Sequence, residues 1–272
     1  MSDAPRVAIL GVGNLGRALA TGWVRARLFT AAEITLTRRD STKLEELAQS
    51  GHPVGSDNAS AVRDSHVIVL AVQPQQLRAL LEEIRGALDA GRHRLISVVS
   101  GVSISELRDT LGATVPVVRA MPNTAVSIGE SMTCLCSDDS DTAALAEAAE
   151  LFEAVGRTLV IEEEMMVPAT ALCACGVAFF LRCVRAASQG GIEIGFHPEE
   201  ALLLAAQTAK GAAALALKGD SHPEGEIDRV TTPRGCTIAG LNEMEHRGLS
   251  SAMIRGITVS AKAAEGLYRS SD

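Results

Sequence analysis

The 272-residue chain reads as two parts of different class: an α/β doubly wound sheet domain over residues 1–164 and an all-α domain over residues 165–272. Three observations predict this. Short β-branched runs alternate with helical segments through the first half. Those runs are apolar throughout, as strands buried on both faces of a parallel sheet must be. After Glu164 the strand-like runs stop, and helical segments punctuated by Gly190–Gly191 and the Gly219–Pro223 region take over.

The elements follow in order. "VAIL" (Val7–Leu10) leads into a helix over Leu15–Ala26. "ITLT" (Ile34–Thr37) precedes a helix over Thr42–Gln49, "VIVLAV" (Val67–Val72) one over Gln76–Leu88, and "LISVVS" (Leu95–Ser100) one over Ser103–Leu111. "VPVVRAM" (Val115–Met121) and "SMTCLC" (Ser131–Cys136) come next. A helix over Thr142–Val155 and the run "TLVI" (Thr158–Ile161) complete the sheet part. Helices over Ala169–Gln189, Pro198–Leu217, Thr237–His246 and Ser250–Tyr268 make the second part. No internal repeat or low-complexity tract interrupts this plan.

Composition narrows the function classes. At 47% hydrophobic and 3% aromatic, the core has to be built from Ala, Val, Leu and Ile. A net charge of −8 argues against nucleic acid or an anionic membrane as partner, since both reward a basic surface. "RVAIL" follows the N-terminus without a basic segment and an apolar core, so no signal peptide is read and a cytoplasmic location is expected. The six cysteines (134, 136, 173, 175, 183 and 236) include two C-x-C pairs but no C-x2-C spacing with nearby histidine. They read as reduced buried thiols, and no metal site is expected. Met165–Leu181 carries no charge, yet is short for a membrane span. It reads as a helix buried on all sides, against a partner chain.

"VAILGVGNLGRALA" sets Gly11, Gly13 and Gly16 between a strand and a helix, with Asn14 and Leu15 opening that helix. This is the dinucleotide fingerprint of a Rossmann-type sheet in its required context. Gly11 permits the turn, Gly13 lets backbone approach a pyrophosphate, and Gly16 lets helix pack on strand. The second strand ends in "LTRRD", with Arg38 and Arg39 where an NAD site usually carries an acid. Two guanidiniums suit a 2′-phosphate, so NADPH is favoured, with NADH possible but weaker.

Catalytic candidates are sparse. The six histidines are scattered, and Lys210 in "QTAKGAAA" lacks the asparagine four residues on that β-hydroxyacid dehydrogenases place after their catalytic lysine; Ala214 stands there. Nothing obvious removes a proton from an alcohol. An imine needs less help, because its protonated form is already an electrophile. "TTPRGCT" interrupts the helical half with a polar loop ending at a helix start, where free N–H groups favour an anion. Thr237 is read as able to cap that helix.

The whole chain resembles the pyrroline-5-carboxylate reductases. The resemblance rests on "GVGNLGRALATG", "DN" at Asp57–Asn58, "AVQPQQL", "SGVSISEL", "RAMPNTAVSIGESMT", "QTAKGAA" and "VTTPRGCTIAGL". It implies reduction of 1-pyrroline-5-carboxylate to L-proline, the last step of proline biosynthesis. The cofactor would be held by Gly11, Gly13, Asn14, Leu15, Gly16, Arg38, Arg39, Asn58, Ala71, Val72, Gln73, Pro74 and Asn123. Thr232, Gly235, Cys236 and Thr237 would bind the cyclic imino acid, with the Thr237 hydroxyl on the ring nitrogen. It further implies a homodimer able to assemble into a larger ring such as a decamer. Two departures bear on this: Arg234 stands where the family usually has glycine, and Gln73 where "A-V-K-P" would have lysine. The competing readings are a reductase of another cyclic imino acid and a non-catalytic NADP-sensing protein.

Overall fold

Strand and helix alternate along the first part of the chain as follows. The strands are β1 (Val7–Leu10), β2 (Ile34–Thr37), β3 (Val54–Gly55), β4 (Val67–Leu70), β5 (Arg94–Ser97), β6 (Val117–Met121), β7 (Ser131–Ser137) and β8 (Gly156–Val160). Among them run α1 (Asn14–Arg25), α2 (Glu45–Gln49), α3 (Asn58–Arg63), α4 (Pro74–Ile84), α5 (Ile104–Leu111) and α6 (Thr142–Glu153). The structure, a computed structural model, describes residues 6–112, 115–138, 141–219 and 222–265. It divides into two compact units, parted at Cys175–Gly176 and again at Val259–Ser260.

The sheet has eight strands in the order β3-β2-β1-β4-β5-β6-β7-β8. Its chain path reverses between β1 and β4, the switch point at which open α/β sheets bind ligands. Alternation along β1 explains the two-sided core. Val7 and Ile9 join Leu19, Trp23 and Phe152 on one face, while Ala8 and Leu10 join Leu77, Leu81 and Leu107 on the other. Trp23 is fully buried, its ring edge-on to Phe29 and Phe152. Its Nε1 donates to the Leu151 carbonyl at 2.9 Å, so the indole's one polar atom is satisfied.

Two features of this unit differ from the sequence reading. The sheet is not parallel throughout: β6 and β7 pair antiparallel. Only a single 3-10 turn, Thr124–Ile128, connects them. Parallel neighbours need a longer crossover, and β7 to β8, which has α6 for one, is parallel. The second difference is where the chain leaves the sheet. Residues beyond Glu164 still belong to it: α7 (Met166–Ala169) buries Met166 and Ala169 in the sheet's core. A π-helical turn, Thr170–Ala174, follows. Arg119, 5% exposed on β6, is neutralised locally by Glu163, whose Oε1 accepts from Arg119 Nη1 and from the Ile104 amide, both at 2.8 Å.

The second unit consists of α8 (Gly176–Glu193), α9 (Pro198–Leu217), α10 (Pro223–Val230), α11 (Cys236–His246) and most of α12 (Leu249–Glu265). The end of the predicted Ser250–Tyr268 helix lies outside the described residues. Helices α8 and α9 enclose an apolar groove of about 550 Å³ lined by Phe180, Val184, Phe196, Leu204 and small residues. Large apolar side chains on and between these helices are also open to solvent: Phe180 is 62% exposed, Ile194 78% and Leu203 70%. The charge-free run from Met165 is thus not buried on all sides within one chain. It belongs to a longer helical stretch, Glu163–Glu193, which by length and composition alone is apolar enough to cross a membrane.

Candidate active site

A cleft of about 640 Å³ opens beside Gly11, Val12 and Gly13 after β1 and beside Ala71 and Val72 after β4. The glycine loop is shaped by its neighbours. The amides of Gly11 and Val12 both donate to the Thr37 carbonyl, at 3.0 and 2.9 Å. Gly11 has φ +81°, and a Cβ there would lie 2.1 Å from Val72 Cγ1. No other residue fits. Gly16 is buried, and it packs against Ile9 of the strand and Val12 of the loop, with a Cβ set to meet Ile9 Cγ2 at 3.3 Å. Gly13 is different: it lines the cleft, and a Cβ added to it would meet nothing within 4 Å. The bare backbone here faces open space, as a loop meant to receive a pyrophosphate requires. Asn14, Leu15 and Gly16 begin α1, whose N-cap is Gly13 with no side-chain cap, so the first-turn amides stay free for an anion.

The lining of the cleft is also cationic. Arg38, Arg39 and Lys43 line it. Arg38 also ties β2 to the glycine loop, its Nη1 donating to the Val12 carbonyl at 2.9 Å. Asp40 lies among the cations. The Thr42 hydroxyl, with Lys43 and Arg38 nearby, holds its carboxyl below the usual carboxylate range. Lys43 Nζ stands 3.7 Å from it. Asn58 is fixed on both sides, its Oδ1 accepting from Thr37 Oγ1 at 2.5 Å and its Nδ2 donating to Glu83 Oε2 at 3.0 Å.

Of the residues expected to hold a cofactor, Gly11, Gly13, Arg38, Arg39, Asn58, Ala71, Val72 and Gln73 come together in this lining. Pro74 is instead the first residue of α4, with Gln73 as its N-cap. Asn123 stands apart from the lining and is 8% exposed. Its Oδ1 accepts from the Ala125 amide at 3.0 Å, and its Nδ2 donates to the Cys173 carbonyl at 3.3 Å. Lys43, Gln75, Gln76 and Glu83 are lining residues that sequence reasoning missed. A lysine in the turn after the arginines was the available signal for the first.

The loop Thr232–Thr237 lies in the helical unit. The Gly235 amide donates to the Thr232 carbonyl at 2.9 Å, closing a turn through Pro233 and Arg234. Arg234 takes φ +61°, the left-handed conformation that the third position of a type II turn demands. A Cβ on Gly235 would approach Thr232 Oγ1 to 2.5 Å. Gly235 is the N-cap of α11 and has no side-chain cap; Thr237 is the second helical residue. Thr237 therefore does not cap the helix, because the turn puts the N-cap at Gly235, two residues before it, and helical geometry begins at Cys236. Its half-buried hydroxyl has no hydrogen-bond partner among the described residues. Cys236 is exposed, unlike the buried thiol expected.

Comparison with known proteins follows these two halves. Residues 163–267 match the family model for pyrroline-5-carboxylate reductase dimerisation, and residues 6–101 the model for NADP oxidoreductases, coenzyme F420-dependent. Pyrroline-5-carboxylate reductase 2 of Dictyostelium discoideum is 47% identical over 96% of this chain and 93% of its own. The chain belongs to the pyrroline-5-carboxylate reductase family. Pyrroline-5-carboxylate reductase 1 of the same organism is 50% identical over 96% of this chain, which spans only 50% of that relative's length. Among solved members of the family, the Coxiella burnetii enzyme matches with a TM-score of 0.86 at 27% identity over 98% of this chain and all of its own. The Plasmodium falciparum pyrroline carboxylate reductase, solved with NADP bound, superposes over 98% of this chain and all of its own, with a TM-score of 0.87 at 23% identity. As a member of this family the chain carries a nicotinamide-dinucleotide half and a dimerisation half.

Proposed function

We propose that the chain catalyses NADPH-dependent reduction of 1-pyrroline-5-carboxylate to L-proline, as a homodimer that can assemble further into a ring, in the cytoplasm, with neither nucleic acid nor membrane as partner. The family membership carries the reaction. The cofactor assignment is supported by the cleft, whose bare backbone at Gly13 and cations at Arg38, Arg39 and Lys43 fit a pyrophosphate and a 2′-phosphate respectively. NADPH, when bound, supplies the hydride. The protein's residues do the rest. The free amides of α1 take the pyrophosphate. In the helical unit, the first-turn amides of α11 take the substrate carboxylate, with Thr232 and Gly235 shaping the turn and Cys236 beside it. The unpartnered Thr237 hydroxyl accepts a hydrogen bond from the protonated ring nitrogen, holding the electrophilic form. No alcohol proton has to be removed, so the lack of a histidine or lysine in the Thr232–Thr237 loop is no obstacle.

The test is NADPH oxidation with pyrroline-5-carboxylate beside a six-membered cyclic imine, for wild type and Thr237→Ala. Turnover on the five-membered ring should dominate. Thr237→Ala should lower it by roughly ten- to hundredfold, the worth of a hydrogen bond to a charged group, with NADPH affinity unchanged. Near-normal turnover by Thr237→Ala would remove the hydroxyl from the mechanism. A preference for the larger ring would reassign the substrate, with Arg234 in the turn as the first residue to examine. NADPH binding without turnover on any imine would favour a sensing protein.

A further inference from the structure

Cys134 and Cys173 are far apart in sequence but meet in the sheet unit, their sulfurs 3.8 Å apart. Cys134 is buried on β7 and Cys173 half-buried in the π-helical turn. No other residue of the proposed chemistry uses either thiol. Both flank one segment. Cys134 is the β-ladder partner of Met121 at the end of β6, and the Cys173 carbonyl accepts from Asn123 Nδ2 at 3.3 Å. The pair thus brackets Met121–Asn123, which carries the sequence stretch nearest the expected cofactor end of β6.

We propose that Cys134 and Cys173 are a modification site: a dithiol that peroxide converts to a disulfide, bridging β7 to the π-helical turn and disturbing the anchor of Asn123. The separation is suited to this, since the sulfurs have to close by only roughly 1.8 Å to reach bonding distance. The chemistry balances. The Cys173 thiolate attacks hydrogen peroxide, giving a sulfenic acid and hydroxide. The Cys134 sulfur then displaces hydroxide from that sulfenic sulfur, losing its own proton. Two thiols and one peroxide become one disulfide and two waters, and the two electrons pass from sulfur to peroxide. Roles divide between the sulfurs as the surroundings dictate. The sulfur–sulfur contact draws Cys173 down to about 7, while that same contact and burial push Cys134 up. The half-buried sulfur is therefore the thiolate that meets oxidant. A disulfide of this kind is the transient sort found in reducing compartments.

The experiment treats the full-length enzyme with hydrogen peroxide and maps non-reduced peptides by mass spectrometry. The expected product is one crosslink joining the Cys134 peptide to the Cys173 peptide, with two of the six thiols lost from titration and regained with dithiothreitol. Turnover should fall severalfold and recover with the thiols, while Cys173→Ser and Cys134→Ala each abolish both the crosslink and the reversible loss. A crosslink between other cysteines, or over-oxidation of Cys173 with Cys134 still free, overturns the proposal. A correct crosslink with unchanged turnover overturns its link to Asn123. The peptide map is made on wild type and needs neither variant to fold. The turnover readout rests on the reaction proposed above and the peptide map does not, so the two readings fail separately.

Discussion

At Arg234 the backbone takes φ +61°, where a side chain costs roughly 1–2 kcal/mol. The turn sets Gly235 and the first amides of α11, so the strain sits one residue from the N-cap of that helix. Arg234→Gly should raise stability by about 0.5–1 kcal/mol, the relief of strain less the added freedom of glycine in the unfolded chain. Denaturant unfolding checks this. A loss of stability would mean that the guanidinium, not the backbone, secures the turn. At the cleft beside the glycine loop three cations can be told apart. Arg38 props the glycine loop through the Val12 carbonyl, whereas Arg39 and Lys43 have no bond to that loop among the described residues. Arg39→Ser with Lys43→Ser should weaken NADPH by roughly ten- to hundredfold and leave NADH nearly untouched. Arg38→Ser should weaken both. Equal losses of both cofactors in the Arg39/Lys43 double variant, measured by fluorescence titration, would take the 2′-phosphate away from those residues.

At the scale of elements, what could be read ahead depended on how local each requirement was. Gly11, Gly13 and Gly16 were legible because a turn, a bare approach and a close helix–strand contact each fall within a few residues of β1. The start of α5, read at Ser103, was equally local: Ser103 and Glu106 bond each other's backbone there. Lys43 and Glu83 were harder. Glu83 reaches Asn58 only because α4 and α3 lie side by side, and nothing in the sequence states that register. The antiparallel β7 was lost for a related reason: strand patterning shows burial, and only the brevity of the Pro122–Glu130 link sets direction. Thr237 was misplaced by two helical positions, because Gly235 offers no capping side chain to mark the helix start. His93, at the turn into β5, shows what such unread packing does. It is 1% exposed, and its Nδ1 accepts from the Asp89 amide at 2.8 Å. Burial, with the Arg92 charge, pulls its pKa below 6.5. The unfolded chain therefore binds this proton more readily than the fold does. Stability from the neutral ring is present above about pH 6.5 and declines as pH falls below it. Thermal melting from pH 7.5 to 5 should show this decline, and His93→Gln should flatten it. An equally steep decline in the variant would place the acid sensitivity elsewhere.

The whole molecule is set by a surface that one chain cannot cover. In the helical unit Phe180 on α8, Ile194 in the turn after it and Leu203 on α9 are mostly exposed, all within the segment matching the dimerisation model. Large exposed apolar side chains in such number mark an interface, and homodimer interfaces are the most apolar class. A membrane would also accept the Glu163–Glu193 stretch by length, but the exposed apolar side chains continue onto α9 and α12, at Leu203, Ile254 and Val259. That spread suits a second copy of the unit better than a single span. We expect an obligate dimer, whose stability depends on protomer concentration. Leu203→Glu separates the alternatives. On a free surface this substitution costs no more than about 0.5 kcal/mol. In a desolvated interface it buries a charge, and the dimer should dissociate or unfold at protein concentrations where wild type stays assembled. Sedimentation velocity at micromolar concentration, without detergent, reads the result. Wild type sedimenting as a folded, active monomer would defeat the expectation, as would a Leu203→Glu protein that assembles and melts like wild type.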